Sequence, residues 1–104
     1  MLRNSTAMLE DFTLETFSGH LGETFRVGED ADAVDFTLVE AIAGIARPHG
    51  GGRVPFSLVF RGPLEPVLPQ RIYRFEHDEL DAFDLFIVPI GPDETGTQYE
   101  AVFG

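Results

Sequence analysis

Apolar side chains fall at every second position over most of the chain, a period that marks half-buried β-strands. "ETFRVG" (23–28) is a short strand that ends in the acidic turn "GEDADA". In "VDFTLVEAIA" (34–43), Val34, Phe36 and Leu38 share one face, and Glu40 then falls in the apolar register. A charge in that register predicts a bulge or an edge nearby. "PFSLVFRG" alternates cleanly, with Phe56, Leu58 and Phe60 inward and Ser57, Val59 and Arg61 outward. "RIYRFEH" sets Tyr73 and Phe75 against Arg74 and Glu76, and "TQYEAVFG" aligns Tyr99, Ala101 and Phe103.

Two segments depart from this period. "DFTLETFSGHLG" (11–22) carries Leu14, Phe17 and Leu21 at helical spacing, with Asp11 or Thr13 to cap its start and Gly22 to stop it. In "FDLFIVPIGP" (83–92), Leu85, Phe86, Ile87 and Val88 follow without a polar break, which predicts cover on both faces by the helix, a second sheet or another subunit. Residues 1–10 read as a polar lead-in and "ARPHGGG" as a flexible hairpin loop. Six short strands between turn signals predict one all-β, mainly antiparallel domain over 11–104, a small barrel or sandwich with one short N-terminal helix.

Composition narrows the function. A length of 104 residues fits one core, and ten Phe with two Tyr are enough to fill it. The formal net charge of −11, with every cation an arginine, argues against nucleic acid or an anionic membrane as partner. The chain has no cysteine, which removes thiolate metal sites, disulfides and Cys nucleophiles. The start has no apolar run of signal-peptide length, so a soluble cytoplasmic protein is the expectation.

No catalytic constellation is visible. His20, His49 and His77 have no metal-binding spacing, and Ser5, Ser18 and Ser57 sit in no nucleophile elbow. The acidic stretches 29–35 and 76–84 read as solvated turns, and no catalytic residue, metal or cofactor is expected. Five of the seven arginines (Arg47, Arg53, Arg61, Arg71, Arg74) lie between residues 47 and 74. With Arg61 and Arg74 on the strands either side of "GPLEPVLPQ", they suggest a cationic strip that pairs internally with Glu65, Glu76 or Glu100 or docks an acidic surface.

Pro63, Pro66 and Pro69 recur at every third position of that crossing. The period matches polyproline II, but the preferred reading is a stiff connection with Leu64, Val67 and Leu68 packed over a barrel end. The leading expectation is a non-enzymatic structural or protein-interaction module. Arg61, Arg71, Arg74, Phe86, Val88 and Ile90 are its candidate contacts, to a protein partner or a second copy. The alternative is a small-ligand-binding barrel with Arg47, His49, Arg53, Tyr73 and Tyr99 around its mouth, near the glycine loop and the crossing. An enzyme using His77 ranks last.

"GETFRV", "PFSLVFRGPLEPVLPQRIYRFEHDEL", "LFIVPIGP" and "YEAVFG" together resemble an uncharacterised family of small bacterial all-β proteins of unknown function. The resemblance covers residues 8–104, and members begin near the position of Met8. It implies gene neighbourhoods with phage-tail-collar-like proteins, hence an accessory or assembly role in a tail-like or fibre system. It carries no catalytic residues.

Overall fold

A computed structural model describes residues 12–44 and 54–103. The lead-in over 1–10, the glycine loop, and Arg47, His49 and Arg53 lie outside the described residues. Helix α1 (Leu14–Ser18) precedes six strands: β1 (Thr24–Val27), β2 (Val34–Ala43), β3 (Phe56–Gly62), β4 (Arg71–His77), β5 (Asp81–Pro92) and β6 (Thr97–Phe103). All pairings are antiparallel, and they close a barrel in the order β1-β2-β3-β6-β5-β4. The expected bulge lies between Leu38 and Glu40 on β2, where Glu40 is turned out to solvent.

The barrel is filled by its own side chains. Phe25, Phe36, Leu38, Leu58, Phe60, Phe75, Ile87 and Tyr99 are fully buried, and the Phe36 and Tyr99 rings stack at 4.6 Å. Gly62 leaves the room Phe36 needs, since a Cβ there would stand 2.5 Å from the ring. Dispersion and apolar burial in this aromatic cluster are the main favourable contribution to the fold.

Each end has its own cover. The β5–β6 ladder runs only from Val88 to Pro92, and the rest of β5 pairs with β4. Phe17 of α1 fills the space this leaves, with its ring 6.1 Å from Phe56 and Phe83 and 5.7 Å from Phe103. The helix is shorter than its spacing suggests. Thr13 is the N-cap, its N–H donating to Thr16 Oγ1 at 2.9 Å, and the helix ends at Ser18. Leu21 is therefore exposed beyond the helix, and Gly22 is not the stop: its N–H donates to Leu38 O at 2.8 Å, beside β2.

At the other end, β3 and β4 lie three steps apart in either direction round the barrel. The proline crossing therefore spans the barrel mouth and does not join neighbouring strands. Leu68 packs on the core beneath it, while Leu64 and Val67 are exposed, contrary to expectation. Bends at Leu64–Pro66 interrupt any regular polyproline helix, and the Glu65–Pro66 peptide is cis. Tyr99 Oη accepts the Leu68 N–H at 2.8 Å, and Tyr73 Oη donates to Pro69 O at 2.7 Å.

Candidate functional site

Two places on this barrel carry chemistry that the core does not consume. The first lies at the rim of the helix end. The turn after α1 is fixed by His20 N–H donating to Phe17 O and Glu23 N–H donating to His20 O, at 2.9 and 3.1 Å. Glu23 O in turn accepts from Leu38 N–H, which anchors the residue to β2. His77 ends β4, and closure of the β1–β4 seam at Arg26–Glu76 and Val27–Phe75 lays its ring 4.6 Å from that of Phe25. The imidazoles of His20 and His77 then stand 4.7 Å apart and both reach one oxygen, Glu23 Oε1, each at 2.8 Å.

The hydrogens can be placed by chemistry. An ionised carboxylate only accepts, so His20 Nδ1–H and His77 Nε2–H are the donors. His77 Nδ1 accepts the Glu79 N–H at 3.0 Å, which agrees with its ring hydrogen being on Nε2. These bonds, His20's first and then His77's, hold the Glu23 carboxyl below its ordinary pKa. The His77 side chain is only 5 % exposed, and it edges a cleft of about 480 Å³ with Thr24, Arg26, Asp35, Glu76, Asp78 and Asp81.

The spacing of the histidines along the chain gave no sign of this cluster, because residues 20 and 77 meet only through barrel closure. His77 is a nearly buried side chain held by a carboxylate, although it belongs to the stretch 76–84 that reads as a solvated turn. Among the described residues His20, Glu23 and His77 form the group whose ligand atoms could share a cation, and this reopens the expectation of no metal site.

The second place is the outer face of β4–β5. Ile72 and Phe86 are direct partners in the ladder and are 63 % and 48 % exposed. Ile90, also on β5, is 49 % exposed, and Val88 between them is half-buried. Of the three covers expected for 85–88, the helix and a second sheet are ruled out for Phe86, which stays exposed within the chain. Leu85 and Ile87 enter the core, and no described residue covers Phe86 on the outside.

The arginines divide. Because β3 and β4 are on opposite sides of the barrel, Arg61 and Arg74 form no continuous strip. Arg61 is held by Asp93, with Nε at 2.9 Å and Nη2 at 2.7 Å, and Arg74 Nε donates to Glu76 at 3.0 Å. Arg71 lies over the Tyr73 ring at 5.3 Å, with no carboxylate in ion-pair reach among the described residues. Arg74 shares the outer face of β4 with Ile72, whereas Arg71 lies with Tyr73 on the other side of the strand, toward the crossing.

Of the ligand-barrel residues, the two that are described, Tyr73 and Tyr99, do not line an open mouth. Tyr99 is fully buried in a filled interior, and Tyr73 is tied to the crossing. An exterior cleft of about 500 Å³, lined by Leu68, Arg71, Tyr73 and Arg74 among others, is what that reading retains.

Fold and surface together define a small closed six-stranded antiparallel β-barrel with a side-chain-filled interior and its chemistry on the outside. Residues 12–103 match the model of a family described as a domain of unknown function (DUF6916), and the chain belongs to that family. No curated protein and no solved structure matches it. No described helix is long and apolar enough to cross a membrane.

Proposed function

We propose that this domain is a non-enzymatic protein-interaction module that docks a partner protein on the outer face of β4–β5. The observation that carries the reading is the cross-strand pair Ile72–Phe86, exposed on a barrel whose core is already complete. Apolar residues grouped on an outer face mark interaction sites more often than chance exposure does, and aromatic anchors lead such contacts. Phe86 is the anchor, with Ile72 opposite it on β4, Val88 and Ile90 further along β5, and Arg74 at the rim. A second copy would bring another charge of −11 to the contact, which favours a different protein as the occupant.

The partner contributes an apolar residue to Phe86. The resemblance to proteins encoded beside phage-tail-collar-like genes supports a fibre protein of that kind as the partner, and an accessory or assembly role. The test is affinity purification of the full chain from its native host beside the Ile72→Asp/Phe86→Asp variant. A tail-collar-like protein retained by the wild type and lost from the variant supports the reading. Equal recovery by both, or recovery of a small molecule alone, overturns it.

A further inference from the structure

We propose that His20, Glu23 and His77 form a binding site for a first-row transition-metal dication of the zinc class. Two imidazole nitrogens and a carboxylate oxygen converge from separate parts of the chain, all within 4.8 Å of one another. Ligand atoms around tetrahedral zinc stand about 3.3 Å apart for bonds of about 2.0 Å, so the two nitrogens close toward each other while each widens from its 2.8 Å contact with Glu23 Oε1. Glu79 Oε1 lies 3.7 Å from His20 Nδ1 and supplies a fourth donor or leaves that position to water. The donor set selects the metal. Calcium and magnesium take oxygen ligands, whereas imidazole with carboxylate suits zinc, nickel and cobalt.

The surroundings are built for the purpose on one side and adjustable on the other. His77 is clamped against Phe25 and nearly buried, and the Glu23 backbone is held to β2, so two ligands are in place before any ion arrives. The Glu23 and Glu79 carboxylates offset the incoming charge, with Asp78 also at the cleft. Binding takes over both N–H···O bonds: the metal occupies the lone pairs of His20 Nδ1 and His77 Nε2, and the ring hydrogens move, that of His20 to Nε2 and that of His77 to Nδ1. Glu79 N–H then loses its acceptor and turns to water, a cost confined to an exposed turn. Affinity is therefore expected to be weaker than that of closed structural zinc sites.

The experiment is calorimetric titration of tag-free full-length protein with zinc chloride, together with thermal melts and cobalt absorption spectra. One zinc per chain is expected, with a midpoint raised by about 5 °C or more at a hundredfold excess over Kd. Cobalt is expected to give visible bands typical of four-coordination. His20→Gln and Glu23→Gln should each weaken binding at least about tenfold while the apo midpoint stays near wild type, and His49→Ala should change nothing. Absence of heat and of a midpoint shift overturns the proposal, as does binding that survives His20→Gln with Glu23→Gln or disappears in His49→Ala. Neither outcome bears on the β4–β5 face, which lacks these residues.

Discussion

At the helix end of the barrel Phe12 and Phe17 wedge against Phe83, their rings 5.1 and 6.1 Å from it, whereas at the crossing end a backbone strap hangs on two tyrosine hydroxyls. The first seal is apolar packing, without direction and proportional to area. The second is a small set of directional bonds, each worth less but fixing a definite path for the chain. The difference explains where polar chemistry gathers. A packed plug leaves its rim free for His20, Glu23 and His77, while the crossing spends Tyr73, Tyr99 and Thr97 on holding itself down.

Removing the plug should have the largest effect. Phe17→Ala leaves a void among Phe12, Phe56, Phe83 and Phe103 and should cost about 3–5 kcal/mol in urea unfolding. It should also loosen the His20 turn that follows α1, seen as faster exchange of the His20 and Glu23 amides. A loss below about 1 kcal/mol would mean that α1 does not seal the barrel.

At the crossing, Tyr99→Phe keeps the ring that stacks on Phe36 and deletes only the acceptor for Leu68 N–H. The expected cost is about 1–3 kcal/mol, with faster exchange of the Leu68 amide and no change at the helix end. An equal loss of protection at both ends would show the seals to be one cooperative unit.

A smaller, pH-dependent effect belongs to Asp93. Its carboxylate accepts from Arg61, Thr95, Gly96 and Gln98, binding the β5–β6 turn to β3. The hydrogen bond from Arg61, then that from the Thr95 backbone, holds its pKa far below the ordinary carboxylate value. A depressed pKa gives stability that is complete above the unfolded value of about 4 and is lost as the pH falls toward the folded one. Asp93→Asn should lower the midpoint at pH 7 and flatten its decline below about pH 4. A variant with the wild-type acid profile would place that dependence elsewhere.

Much of the architecture was legible along the chain because strand alternation is local. The spans of β2 and β4 coincide with their periodic segments, and Glu40 marked the bulge through one misplaced charge. The order of strands was not legible, since it depends on pairing between residues far apart. That one omission accounts for the side-chain groupings that were missed or misjoined. Arg61 and Arg74 flank the crossing in sequence but lie on opposite sides of the barrel, and His20 and His77 share no spacing but meet on Glu23. The unbroken apolar run 85–88 was visible, but alternation alone did not reveal that Phe86 stays exposed. The 3₁₀ turn Asp30–Asp32 was read only as an acidic turn.

Changing the outer face should cost the fold least of all, because Ile72 and Phe86 already contact water. Ile72→Asp with Phe86→Asp sets like charges opposite each other in the ladder and should lower the unfolding midpoint only slightly, with the barrel still folded. The purification comparison with this pair is therefore the most direct measurement of the β4–β5 face. A stoichiometric protein partner held by the wild type and absent from the equally folded double variant is the predicted result. The same partner recovered with both proteins would contradict it.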